Sequence, residues 1–167
     1  QGVAHALLLA RPHNEDCRLM IYFSDNITTV EFDNLVREFK QAKQPPGCLL
    51  LAREEANPQA FGVAVLDDDG NIIDVVEKPE NPPSNLAIGG IYLFDETFWD
   101  KLDAAVQEKG DAFSISDINR AYIAEGKARF VSVGAETWVD CGTPETLLQA
   151  SIMAKDGKLN PHPYRER

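Results

Sequence analysis

The chain has 167 residues, enough for one domain with a real hydrophobic core. Its 27 acidic and 16 basic side chains leave a formal net charge of -11, which argues against a basic nucleic-acid face and against adhesion to anionic lipid. Apolar residues make up 44% of the chain and charged residues 26%, a globular balance, and no run approaches the ~18 apolar residues of a membrane-spanning helix.

Residues 3–11 (VAHALLLAR) are apolar on several faces, which predicts a buried helix. The chain opens on Gln1 with no signal or transit segment, as expected of a segment cut from a longer polypeptide. Residues 19–23 (LMIYF) form a continuous apolar run, the pattern of a strand covered on both faces. In 31–42, Phe32, Leu35, Val36, Phe39 and Ala42 fall on one helical stripe, and Pro45-Pro46-Gly47 ends it. Residues 48–52 (CLLLA) read as a second buried strand. Helix alternating with strand predicts an α/β layer with a largely parallel sheet.

The middle reads differently. Residues 61–66 and 72–76 flank DDDGN, a hairpin signal. Asp67, Asp68 and Asp69 lack the alternating spacing and distal glutamate of a calcium loop, so a solvated turn is expected. A rigid connector, PENPPSN, leads to a strand over 86–94. Helices are predicted over 96–106 and 116–125, the second with Ser116 as N-cap and Gly126 as its stop. A strand over 128–133, an extended piece over 137–139 and a helix capped by Thr143, with Pro144 at its first position, follow. Residues 159–167 read as a loose tail.

Three cysteines, Cys17, Cys48 and Cys141, are odd in number and widely spaced, which predicts free thiols and a cytoplasmic setting. His5, His13 and His162 show no metal-ligand spacing. Asn26-Ile27-Thr28 matches a glycosylation acceptor with no other sign of secretion.

Carboxylates recur at strand ends, where ligands of open α/β sheets gather. Asp25 follows the run 19–23, and Asp140 ends WVD just before a glycine and a helix start. Two such acids can hold Mg²⁺ and leave coordination positions for water and phosphate oxygens. Equally, Asp25 could only begin a turn and Asp140 only precede a helix; the pattern leaves both open. Glu77 and Lys78 end the hairpin's second strand, side by side, and point to opposite faces unless Pro79 bends the chain. A Glu can accept from sugar hydroxyls and a Lys can meet a phosphate, or both can be an exposed strand end. Gly62 could admit a ligand to the backbone or form a bulge.

GVAHAL, FSDNI, FGVAVLD, VVEKPENPPSNLAIGGIYLFD, ISDINRAYIAEGKA and WVDCGTPETLLQAS occur in that order. Together they resemble the sugar-1-phosphate nucleotidylyltransferases, most closely the glucose-1-phosphate thymidylyltransferase type. The resemblance implies a Rossmann-like, GT-A-like α/β fold: a mixed sheet with flanking helices, truncated at its N-terminus. Residues 1–157 would be a partial nucleotidyltransferase domain and 158–167 a tail. It implies an enzyme joining a nucleoside triphosphate, dTTP first, to a sugar 1-phosphate, glucose 1-phosphate first, with release of pyrophosphate. Asp25 and Asp140 match the Mg²⁺-binding acids. Gly62, Glu77 and Lys78 match positions holding the sugar phosphate, and Asn26 and Ile88 match sugar-pocket positions. Gly2 matches a glycine lying against the base. Catalysis would rest on Asp25, Asp140 and Lys78.

The family's glycine-rich triphosphate loop is not among these residues, which are expected to begin downstream of where it would lie. Lys109 stands near where many relatives carry a phosphate-binding Arg, and Gly89 replaces a residue with a side chain in the sugar pocket. These residues alone are therefore expected to be a poor catalyst, with a sheet edge that invites a second copy or the missing N-terminal part. The competing reading is a module that binds a sugar phosphate or nucleotide sugar and transfers nothing. A glycosyltransferase is disfavoured, since the only Asp-X-Asp lies in the hairpin turn.

Overall fold

The computed structural model describes residues 2–133 and 138–159; the predicted tail therefore lies almost wholly outside the described residues. The elements run α1 (Gly2–Ala10), β1 (Leu19–Tyr22), β2 (Asn26–Thr28), α2 (Phe32–Gln41), β3 (Cys48–Glu54), β4 (Gly62–Leu66), β5 (Ile72–Glu77) and β6 (Leu86–Phe94). After them come α3 (Phe98–Lys109), α4 (Ile115–Ala124), β7 (Ala128–Ser132), β8 (Trp138–Asp140) and α5 (Pro144–Lys155).

The main sheet has the order β5-β4-β6-β3-β7, with β1 added on β6. Among the described residues only β3 and β7 pair in parallel; the other ladders are antiparallel, which corrects the largely parallel expectation. The reason is β6. Its chain returns between β1 and β3, so neither touches the other, and each pairs with it head to tail. β6 meets β3 along one edge from Phe94 to Leu86. Its other edge is shared: β1 takes Ile91 to Phe94, and β4 takes Ala87 and Ile88. The end of β1 and the start of β4 thus approach each other at Gly89 and Gly90.

β3 is the central strand, and Cys48 through Ala52 are all buried. Its alternate side chains feed two cores. Cys48, Leu50 and Ala52 meet Phe98, Trp99 and Leu102 of α3 and Ile118 and Tyr122 of α4. Leu49 and Leu51 meet Phe39 of α2, Ile91, Leu93 and Trp138. Burying each such Leu or Phe stabilises by about 2–3 kcal/mol. The result is three layers, with α3 and α4 on one face of the sheet and α2 with the β2–β8 ribbon on the other.

Two predicted burials do not occur. Of the α1 side chains described, only Leu7 is buried, while Leu9 is 65% exposed. β1 is covered on one face: Leu19, Ile21 and Phe23 join the core, while Met20 and Tyr22 on the other face stay exposed, Tyr22 meeting the edge of the Phe32 ring. The N-cap of α4 is also displaced. Ser114 forms a capping box with Asp117, and Ser116 lies inside the helix. The hairpin and the Thr143–Pro144 start of α5 stand as predicted, with Gly70 at φ 81° turning the hairpin. There the Asp67 carboxylate is spent on the Asp69 and Asn71 N–H groups.

Candidate active site

A cleft of about 670 Å³ opens where β1 and β4 part along β6, within the usual range for a small-molecule site. Phe23 leaves β1 by donating its N–H to the Gly90 carbonyl at 2.8 Å. Phe61 leads into β4, and its carbonyl accepts from Lys78 N–H at 3.0 Å. A Cβ on Gly90 would stand 2.6 Å from the Phe23 ring, so glycine is what lets that ring lie on the strand.

One end of the cleft is built on a single rung of the sheet. Gly62 is opposite Glu77 on one side and Ile88 on the other. All three line the cleft. The Glu77 carboxylate is anchored by Ser116, whose Oγ–H donates to Oε2 at 2.5 Å. Lys78 adopts φ +43°, the one described non-glycine residue in the left-handed region. That turn answers the strand-alternation problem: Glu77 and Lys78 both line the cleft instead of facing opposite ways. Among the described residues Lys78 is the only Lys or Arg of the lining.

The other end is the β2–β8 ribbon, where Asn26 is opposite Asp140. Both line the cleft. Asp25 comes one residue earlier and takes the Cys141 N–H on its carbonyl at 2.7 Å. The Asp140 and Asp25 carboxylates lie 2.9 Å and 4.0 Å from the place where a Cβ on Gly142 would stand. They therefore face one small space. Two hard carboxylates at a glycine suit a divalent cation that takes its remaining ligands from phosphate oxygens or water. The Cys141 thiol beside them is pushed up by burial and by Asp140 and Asp25. Asn26 is 5% exposed, and its amide is hydrogen-bonded to Asp25 and to Trp138. A glycan could not reach it, so the acceptor pattern is incidental.

Gly2 opens α1, whose Val3 and Leu8 border the cleft. Gly89 departs from expectation. Ile88 and Gly90 face the cleft, while a Cβ on Gly89 would meet Trp138 at 1.7 Å on the opposite face. Lys109 is held by Asp117, with Nζ 2.6 Å from Oδ1. Burial pushes the Asp117 carboxyl up, and Lys109, the Ser114 N–H and Arg120 outweigh it, holding it at about 2. The cleft also uses residues that sequence reasoning missed: Phe23, Phe61, Tyr92, Phe113 and Ser116. Burial, followed by the nearby Glu77, pushes the Tyr92 hydroxyl well above its ordinary value. Only the tertiary fold assembles these, since none carries a local motif.

The nucleotidyl transferase family profile matches residues 1–157. The low-salt glycan biosynthesis nucleotidyltransferase of Haloferax volcanii is 32% identical over 157 residues, 94% of this chain and 43% of that protein. The glucose-1-phosphate thymidylyltransferase of Streptomyces antibioticus is 31% identical over 150 residues, 90% of this chain and 42% of that protein. Among solved structures, a Bacillus anthracis protein assigned as a glucose-1-phosphate thymidylyltransferase and crystallised with sucrose superposes with a TM-score of 0.83. It is 29% identical, and the match covers 99% of this chain and 63% of that one. The chain spans less than half the length of these two curated relatives. Sequence and fold agree, and the chain belongs to the nucleotidyl transferase family.

Proposed function

We propose that this chain is the sugar-phosphate side of a sugar-1-phosphate nucleotidylyltransferase. Its preferred pair would be glucose 1-phosphate and dTTP. The observation that carries the reading is one cleft with the Glu77–Gly62–Ile88 rung at one end and the Asp25 and Asp140 carboxylates near the other. The names of the relatives favour the thymidine and glucose choice.

In this reading Glu77 accepts hydrogen bonds from sugar hydroxyls, with Ser116 keeping it in place. Gly62 lets the sugar approach the sheet, and Ile88 packs against it. Lys78 meets the phosphate, and Gly2 lies on the nucleotide side. An oxygen of the sugar phosphate attacks the α-phosphorus of the triphosphate. A new P–O bond forms, the α–β P–O bond breaks, and pyrophosphate leaves with the electron pair. The attacking oxygen is already anionic near neutral pH, so no general base is needed. Positioning and electrostatics then carry the rate. Asp25 and Asp140 would hold Mg²⁺, which neutralises phosphate charge and orients the reacting oxygens when bound.

A triphosphate and a sugar phosphate bring far more negative charge than Lys78 offsets. The rest of the cation and N–H supply therefore comes from further polypeptide, an N-terminal extension or a second copy. The edge of β1 that pairs with no described residue, and the exposed Leu8 and Leu9, suit such cover. No helix among the described residues is long and apolar enough to cross a membrane. A cytoplasmic setting is part of the proposal, since nucleoside triphosphates and sugar phosphates are pools of that compartment.

Pyrophosphate release by the complete protein, with glucose 1-phosphate and each of dTTP, UTP, GTP and CTP, tests the reading. Release that depends on both substrates and is fastest with dTTP is expected. Release indifferent to the sugar phosphate would end the proposal.

A further inference from the structure

Asn26 and Trp138 lie on the paired strands β2 and β8. Asn26 is opposite Asp140 and Thr28 opposite Trp138, so Asn26, Asp140 and Trp138 share one face and Trp138 is Asn26's diagonal neighbour. The Trp138 indole Nε1–H donates to Asn26 Oδ1 at 2.7 Å in a buried bond. An indole nitrogen can only donate, so this contact dictates which way the amide faces. Its nitrogen is left toward Asp25, and Asn26 Nδ2 donates to Asp25 Oδ1 at 2.8 Å. The indole is seated from two sides. Gly89 makes room for it, since a Cβ there would stand 1.7 Å from Cζ2. The Arg53 guanidinium lies 5.9 Å from the ring centroid and donates to the Trp138 carbonyl.

We propose that Trp138 is a positioning residue, whose indole N–H acts through Asn26 to aim the Asp25 carboxylate at the space it shares with Asp140. The consequence for metal rests on the reading of Asp25 as a metal carboxylate. Without the indole donor, Asn26 Oδ1 is buried with no partner. The amide is then free to turn its carbonyl toward Asp25, and two acceptors repel. Trp138→Phe keeps a ring and removes only the N–H; Asn26→Ala breaks the middle of the same chain and leaves Trp138 in its seat.

Mn²⁺ is the probe, with the free ion read by electron paramagnetic resonance. Trp138→Phe and Asn26→Ala are each expected to raise the Mn²⁺ dissociation constant about tenfold, the usual cost of losing a group that orients a ligand. In an Asp25→Asn background Trp138→Phe should add nothing. Urea unfolding without metal gives an independent reading. The destabilisations from Trp138→Phe and Asp25→Asn should together fall short of their sum, because both break one chain of bonds. Additive losses would overturn the proposal, and so would Mn²⁺ binding by the unaltered chain that Trp138→Phe leaves unchanged. Non-additive losses in a chain that holds no Mn²⁺ would uphold the positioning role and remove the metal reading of Asp25.

Discussion

Gly62 and Glu77 face each other across the β4–β5 ladder, and a methyl group on Gly62 would stand 3.5 Å from Glu77 Oε2 and 3.3 Å from Ser116 Oγ. Neither distance is prohibitive, because both neighbours are ends of side chains that can give slightly. Gly62→Ala should therefore fold, with a melting temperature within about 3 °C of the parent. The added group would instead occupy space on the cleft floor. Calorimetric titration with glucose 1-phosphate should show affinity reduced about tenfold or more.

Ser116→Ala removes the hydroxyl that holds Glu77. Glu77 stays exposed, so the fold should tolerate the change. What is lost is the carboxylate's fixed direction, worth about 1 kcal/mol in sugar-phosphate binding. An affinity unchanged by Ser116→Ala would mean that Glu77 does not depend on this bond.

Lys78 combines a cation with a left-handed backbone. Such a conformation costs a side-chain-bearing residue on the order of 1–3 kcal/mol, and glycine adopts it freely. Lys78→Gly should therefore be more stable in urea than Lys78→Ala, by about 1 kcal/mol. Both should lose phosphate binding alike, since both lack the ammonium group. Equal stability of the two variants would indicate that the backbone relaxes once the lysine is gone.

The Asp117 carboxyl is held at about 2 against burial by Lys109, the Ser114 N–H and Arg120. A folded-state value below the unfolded one, about 3.9, stabilises the fold above that pH and is lost as the pH falls toward 2. Asp117→Asn should lower stability at pH 7 by on the order of 1–2 kcal/mol, since the two cations are partly screened by water. Calorimetric melting from pH 7 down to pH 2 should show the two proteins converge at the acid end. A gap that persists undiminished at pH 2 would assign the effect to lost packing.

Asp140→Asn is the sharpest test of the paired carboxylates. Asp140 Oδ1 accepts from the Gly142 N–H at 2.9 Å, a bond an amide oxygen can also accept. The turn into α5 should therefore survive, with an unchanged circular dichroism spectrum. Mg²⁺-dependent pyrophosphate release by the complete protein should be abolished. Full turnover would mean that Asp140 holds no metal.

Most elements were legible because each is written locally, but the three-residue strand β2 was not, since it exists only by pairing with β8. The stripe of α2, the Asp-Gly turn of the hairpin and the Thr143–Pro144 start of α5 need only neighbouring residues. Acids at strand ends marked Asp25 and Asp140, and the resemblance pointed to Glu77 and Lys78. Errors came where a residue's meaning depends on a distant partner. Ser116 reads as a helix cap until β5 brings Glu77 within 2.5 Å of it. Gly89 reads as a vacancy in the sugar pocket until Trp138 is found on the strand's other face. LMIYF reads as covered on both faces, yet an apolar run cannot say whether a second layer will reach its outer face.

Local order is decided by backbone preference and hydrophobic period over a few residues, and on that scale the amino-acid sequence alone determined this protein's helices, its longer strands, its turns and its candidate acids. Which strands became neighbours, which edge stayed open and where the cleft lies were decided only in three dimensions. β6 returns between β1 and β3 and shares one edge between β1 and β4. Pairing across such separations depends on contacts among residues far apart in the chain, which no short stretch encodes by itself.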